Sequence, residues 1–392
     1  MTSWRNRAER LARDLAGRGA IRDPAWHAVF AATPRHMFVP RFYTMDDLNQ
    51  PRTLVRGDNP ATRHQWLDAV YQDQVLITRY EVVDTMPDGQ EARVAASSAS
   101  MPYVVAVMLH RLDVRDGHRV LEIGTGTGYN AALLATRLGG EDVTSVELDE
   151  RSAAEAAERL ATAGHHPSLV VGDGAVGVPD RAPYDRIIAT CAISQIPIAW
   201  VRQLAPNGRI VAPLTFGSAL AVLDRTDEGG LVGRIDPEPV SFITMRTTGY
   251  QPRPVKVRRP EGVPHRGLTA LDPRLVDPLG HAYDLQLWLA LHLPGSANLA
   301  LTCSDDGTPD GIILAGADSY VDVGYQPTRP GTWPVNQLGT RRLWDTVESA
   351  YAAYHRQDKP ARDRLGITGN VDGEQYVWLD DPDGPYAWPM PG

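Results

Sequence analysis

Gly124, Gly126 and Gly128 alternate in the run Val-Leu-Glu-Ile-Gly-Thr-Gly-Thr-Gly-Tyr-Asn at 120–130, directly behind the acid Glu122. Glycine takes backbone angles closed to other residues and lets a ligand approach the main chain. A turn that ends an apolar strand (119–123) and opens a helix (131–138) therefore suits a nucleotide-like ligand. Two such ligands compete. A dinucleotide fingerprint spaces its glycines Gly-x-Gly-x-x-Gly and aims a helix N-terminus at a pyrophosphate, whereas the spacing here is Gly-x-Gly-x-Gly. Glu122 would repel a pyrophosphate yet attract the cationic amino group of a methionine moiety, which favours S-adenosylmethionine. Thr125 and Tyr129 belong to the same turn and share the assignment.

Further acids follow in order. Glu147, with Leu148 beside it, ends a second apolar strand (142–148) about 20 residues beyond the glycines, where a Rossmann-like site bonds ribose hydroxyls. Asp173 and Gly174 lie in a Gly-Asp-Gly turn after a third strand (168–171) and would meet an adenine edge. A helix cap or a solvated loop charge explains any single acid. Three at successive strand ends indicate ligand binding, because ligands of open α/β sheets bind at the carboxyl ends of strands. A fourth strand (184–190) ends at Thr190, a loop with Ile196-Pro197 and a helix follow, and a fifth strand lies near 209–213.

These residues resemble the protein-L-isoaspartate O-methyltransferases. Gly-Thr-Gly-Thr-Gly-Tyr, Ser-Val-Glu, Gly-Asp-Gly and Tyr-Asp-Arg-Ile-Ile-Ala-Thr with Ile-Pro downstream occur in that order. Thr33-Pro34-Arg35-His36-Met37-Phe38-Val39-Pro40 is similar to the family's Val-Pro-Arg-x-x-Phe-Val, and Val240-Ser241-Phe242 resembles its closing strand. The resemblance spans about 1–250 and implies an α/β fold, Rossmann-like and of class I, S-adenosylmethionine-dependent, with S-adenosylhomocysteine as product. The acceptor motif, commonly Thr-Ile-Ser-x-Pro-His-Met, stands here as Ser98-Ala99-Ser100-Met101-Pro102-Tyr103-Val104. Resemblance assigns Ser100, with Ser98 in place of threonine, to the acceptor carboxylate; the other reading of either serine is a cap on the helix 102–112. A carboxylate is already ionised at neutral pH, so the reaction asks for alignment and exclusion of water. No catalytic His or nucleophilic Cys is expected, and the 11 histidines show no triad spacing.

The chain also departs from the family. It carries extra length at 45–66 and 81–93, including a Pro87-Asp88-Gly89 turn, and Thr190-Cys191-Ala192-Ile193-Ser194-Gln195 replaces the usual Ala-Ala-Pro-Pro-Glu type loop. Beyond a catalytic region at 1–250, residues 251–392 read as an additional C-terminal α+β domain for substrate recognition or an interface. It opens with a proline-rich basic connector (251–260). An apolar strand or helix (282–293) follows, then strands at 297–303 and 311–314. A helix lies within 339–356, its stripe of Leu343, Val347, Ala350, Tyr351 and Tyr354 belonging to a core; a final strand (375–379) and a turn end the region. Extended members of the family are associated with ribosomally made, modified peptides such as graspetides and lanthipeptides. The resemblance therefore implies methylation of an aspartate side chain in a cyclised precursor peptide, the ester then closing to an aspartimide. General isoaspartate repair is the alternative, and a non-catalytic binding module is the third reading.

Composition bounds the rest. At 392 residues and 43% hydrophobic, the chain holds enough for two cores. Two cysteines do not make a disulfide scaffold, and neither a membrane span nor an apolar signal core is visible, so a cytoplasmic enzyme is expected. The net charge of -9 argues against nonspecific nucleic-acid binding, and no clustered metal-ligand spacing stands out. The partner expected is a peptide or protein bearing an Asp or isoAsp carboxylate.

Overall fold

The computed structural model describes residues 4–45, 51–85, 91–250, 259–277, 280–293, 297–304 and 307–391. Most of the basic connector (251–258) and the turn at Pro87, Asp88 and Gly89 lie outside them. Among the described residues no helix is long and apolar enough to cross a membrane.

The chain opens with helices α1 (Trp4–Gly17), α2 (Pro24–Ala32) and α3 (Arg35–Phe38). In α1, Ala8, Leu11, Ala12 and Leu15 are buried, the spacing of one helical face. Helix α2 starts where Asp23 accepts from the Ala25 N–H, with Pro24 in the first turn. Strands β1 (Arg41–Met45) and β2 (Pro51–Arg56), helix α4 (Arg63–Val70), and strands β3 (Leu76–Thr85) and β4 (Glu91–Ala99) follow. The four strands form an antiparallel sheet in the order β2-β1-β3-β4.

The central region alternates α5 (Pro102–Leu112), β5 (Val120–Ile123), α6 (Tyr129–Leu138), β6 (Val143–Glu147), α7 (Glu150–Thr162) and β7 (Ser168–Val171). It continues with β8 (Tyr184–Ala189), α8 (Ile198–Gln203), β9 (Leu204–Pro213) and the hairpin β10 (Leu220–Arg225) and β11 (Leu231–Ile235). Strands β7, β6, β5, β8 and β9 are parallel. Every residue of β5 is buried, as a strand covered on both faces must be. The chain leaves β5 toward β6 and β7, then returns on the other side of β5 as β8. This reversal opens a crevice at the carboxyl ends of β5 and β8, the usual ligand position in such sheets.

The C-terminal region contains β12 (His265–Thr269), α9 (Tyr283–His292), β13 (Asn298–Cys303), β14 (Pro309–Ala315), β15 (Ser319–Gly324), β16 (Trp333–Gly339) and α10 (Leu343–Arg356). Strands β12 to β16 make a separate antiparallel sheet in the order β12-β16-β15-β14-β13. The segment 282–293 is a helix: its leucines and Trp288 are buried in a nearly continuous run, a pattern that does not distinguish helix from strand. The Trp288 indole donates to the Ala350 carbonyl of α10 at 2.8 Å. In α10, Leu343, Val347, Ala350 and Tyr354 are buried.

The last strands, β17 (Leu365–Gly369), β18 (Gln375–Leu379) and β19 (Ala387–Pro389), return to the central sheet. β17 pairs antiparallel with β11, so the sheet has ten strands in the order β19-β18-β17-β11-β10-β9-β8-β5-β6-β7. The strand at 375–379 is thus followed by one more. The seam is specific. Arg234 of β11 lies 4.4 Å from the Trp378 ring and donates to the carbonyls of Arg364 and Asp380 at 2.8 and 2.7 Å. Buried Arg362 ties the region to the loop after β9, donating to Ser218 and Gly217 carbonyls.

Candidate functional site

A cavity of about 380 Å³ lies against the carboxyl ends of β5 and β6 and the residue after β8, between β4 and the segment 242–246. Its floor is the glycine turn. Gly124 and Gly126 take φ of +91° and +53°, conformations that disfavour side chains. A Cβ on Gly126 would meet only the Ser98 carbonyl, at 4.0 Å, so this glycine leaves open space between the turn and β4. Thr125 and Tyr129 also line the cavity. Gly128 does not. Its φ of +88° sits at the N-terminus of α6, and a Cβ there would lie 3.3 Å from Ala156 and 3.5 Å from Phe38. Gly128 therefore packs the turn against α7.

Glu122 is completely buried beneath the turn, accepting from Asn130 Nδ2 at 2.8 Å and Ser145 Oγ at 2.5 Å. Burial pushes its carboxyl up to about 7, the two donors and the neighbouring Glu147 modifying that rise. Asn130 Oδ1 is buried without a partner among the described residues. Glu147 accepts from the Gly126 N–H at 2.8 Å and the Asp149 N–H at 3.1 Å, which fixes the turn against the end of β6. Leu148 and Thr190 line the wall, the Thr190 hydroxyl donating to the Gly124 carbonyl. Burial pushes the Cys191 thiol up to about 12, which keeps it neutral.

Asp173 stands in the turn after β7. Gly174 lines the cavity, but Asp173 does not. One Asp173 oxygen accepts from the Ala175 N–H at 2.9 Å and the other from the Thr248 N–H at 2.8 Å, so its carboxylate holds a turn and a distant segment.

Ser98 and Ser100 both line the cavity. Neither caps α5: the N-cap is Met101, with no side-chain cap, and the Tyr103 N–H bonds to Asp73 at 2.7 Å. Arg35 sets the path of this segment. Fully buried, it donates to the Ser100 carbonyl at 2.9 Å and to the Val70 carbonyl at 2.6 Å, which gives the Pro34-Arg35 pair a physical function.

Several lining residues gave no sequence signal: Arg79 and Glu81 on β3, Asp149, and Met245, Arg246 and Tyr250 beyond the closing segment. The second half of β3, from Glu81, was hidden in the extra length at 81–93. Among the described residues, no lining residue lies beyond Tyr250.

The donor set fits S-adenosylmethionine. An open glycine cradle, an orphaned buried acceptor at Asn130 and the acids Glu122 and Glu147 suit an amino-acid cation and ribose hydroxyls, whereas a pyrophosphate would meet two carboxylates.

Comparison with known proteins agrees. The family described as protein-L-isoaspartate(D-aspartate) O-methyltransferase matches residues 61–249. Protein-L-isoaspartate O-methyltransferase 1 of Anaeromyxobacter sp. (strain Fw109-5) is 37% identical over 249 residues, 62% of this chain and 98% of the relative. The enzyme so named from Methanoculleus marisnigri (strain ATCC 35101 / DSM 1498 / JR1) is 37% identical over 242 residues, 62% of this chain and 91% of its own. A solved structure titled protein-L-isoaspartate O-methyltransferase has the same fold, with a TM-score of 0.50 and 20% identity, covering 95% of this chain and 100% of its own. The chain belongs to the protein-L-isoaspartate O-methyltransferase family and is an S-adenosylmethionine-dependent protein carboxyl O-methyltransferase.

Proposed function

We propose that this enzyme methylates the free α-carboxylate of isoaspartyl residues in damaged proteins and peptides. The observation that carries this reading is the match to 98% of the length of a relative named for that reaction. When bound, S-adenosylmethionine supplies an electrophilic methyl group on a sulfonium sulfur.

The chain's own residues hold and align. Gly124 and Gly126 admit the ligand to the main chain, and Thr125, Tyr129, Leu148, Gly174 and Thr190 surround it. Glu147 receives ribose hydroxyls, and Glu122 with Asn130 faces the amino group. The Ser98 and Ser100 hydroxyls donate to the acceptor carboxylate, which needs no base at neutral pH. Rate enhancement then comes from alignment and shielding from water. The free thiols of Cys191 and Cys303 suit the cytoplasm.

A cyclised precursor peptide as substrate has weaker support. That expectation rested partly on chain length, yet a solved structure carrying the isoaspartate name spans 95% of this chain. Radiolabelled methyl transfer to a matched pair of linear peptides, one isoaspartyl and one aspartyl, tests the proposal. Base-labile methyl on the isoaspartyl peptide alone is expected. No incorporation there, alongside turnover on a cyclised peptide, would return the choice to the precursor reading.

A further inference from the structure

Four charged side chains make a continuous file along the cavity wall. Asp149 Oδ1 lies 2.8 Å from Arg79 Nη1, Arg79 Nη2 lies 3.8 Å from Glu81, and Glu81 reaches Arg246. Both Glu81 oxygens take the same nitrogen, Arg246 Nη1, at 2.8 and 2.9 Å. The two-pronged face of the guanidinium is therefore not engaged by Glu81, although that fork is what matches a carboxylate best. Arg79 Nε is likewise buried without a partner among the described residues. The side chains of Glu81 and Arg246 remain 33% and 21% exposed, so a ligand can reach and separate them.

The charge of the cavity gives this pair a task. Its lining holds the carboxylates of Glu81, Glu147 and Asp149, besides the fully buried Glu122, against two guanidiniums, Arg79 and Arg246. An anionic acceptor entering such a space is repelled unless the arginines are turned to it, and both are held by internal carboxylates, Arg79 by Asp149 and Arg246 by Glu81.

We propose that Arg246, assisted by Arg79, is the anchor for a carboxylate of the acceptor peptide, and that Glu81 occupies this anchor as an internal competitor until the peptide displaces it. The proposal rests on the carboxyl-methylating reading above. It makes Arg246 and Glu81 positioning residues with opposite effects on the acceptor. A strap that merely closes the cavity would make them partners with the same effect.

The test compares Glu81→Gln, Arg246→Gln and the double variant in the full chain. Affinity for S-adenosylhomocysteine, measured first, reports whether each retains its fold. Glu81→Gln lowers KM for an isoaspartyl peptide by about threefold, the scale of an exposed ion pair. Arg246→Gln raises it by about tenfold or more, the scale of a charge-assisted hydrogen bond. The double variant follows Arg246→Gln, and in all three the change lies in KM more than in kcat. Calorimetric binding of the same peptide to protein loaded with S-adenosylhomocysteine repeats the comparison without turnover. Absence of wild-type methylation sinks the isoaspartate reading. Glu81→Gln and Arg246→Gln shifting peptide binding in the same direction, or Glu81→Gln weakening it, overturns the anchor.

Discussion

Replacing Glu122 by glutamine should make the ligand-free enzyme more stable at alkaline pH while weakening its cofactor site. Glu122 is fully buried, and burial raises its carboxyl from 4.5 to about 7. Between these values the unfolded chain has released the proton and the folded chain still holds it. Stability therefore falls as pH rises through this window, by about 1.4 kcal/mol per pH unit. The difference of 7 - 4.5 = 2.5 units amounts to about 3 kcal/mol, all of it lost above pH 7. Glutamine keeps the shape, accepts from Ser145 and carries no charge. Its amide can donate to Asn130 if that side chain turns its orphaned Oδ1 inward. Urea unfolding of both proteins at pH 5 and pH 8 provides the assay. Relative to wild type, Glu122→Gln should gain about 2 to 3 kcal/mol on going from pH 5 to pH 8. Its affinity for S-adenosylhomocysteine should fall at both. Parallel pH dependences in the two proteins would refute the assignment of the buried proton.

Three further perturbations probe the scaffold. Gly128→Ala forces a side chain into φ +88° with a Cβ 3.3 Å from Ala156, so chemical denaturation should show a loss of about 2 to 4 kcal/mol; a loss below about 0.5 kcal/mol would remove the packing role. Arg35→Met deletes the bonds to the Val70 and Ser100 carbonyls and should cost about 3 to 5 kcal/mol. Surviving enzyme should show a raised KM for the acceptor, because the Ser100 segment loses its tether. Gly366→Val places a Cβ where an alanine Cβ would already stand 2.2 Å from the Trp378 ring. Limited proteolysis should then cut the last strands several-fold faster, and an unchanged rate would mean that the seam at β11 carries little of the attachment.

The parts of the fold legible in the sequence are those specified by short stretches. The run at 120–130 contains its own strand end, glycines and helix start, and Ser168–Val171 and Pro102–Leu112 are bounded by their own residues. Strand β3 was obscured because its residues are mostly half-buried and alternate poorly, with Arg79, Glu81 and Asp84 among the apolar ones. Strand β17, Leu-Gly-Ile-Thr-Gly, carries two glycines, which weaken any strand signal. The site divides in the same way. Glu122 and Glu147 act within 25 residues of the glycines they support, whereas the second partner of Asp173, Thr248, is 75 residues away and is invisible locally. The contact between Glu81 and Arg246 spans 165 residues and leaves no local trace.

The position of the C-terminal strands bears on where acceptor choice resides. They join the sheet at β11, separated from β5 by β10, β9 and β8, and none of their residues reaches the cavity. Covering β11 has a sufficient physical reason of its own, since an unpaired edge strand is a template for aggregation. The β3–β4 hairpin is placed otherwise. Arg79, Glu81, Ser98 and the adjoining Ser100 all face the cavity, and its ion pairs reach both Asp149 beside the cofactor acids and Arg246 beyond the closing segment. A graft of this hairpin's charges into a relative should therefore transfer acceptor preference, whereas a graft of the C-terminal region should transfer only stability.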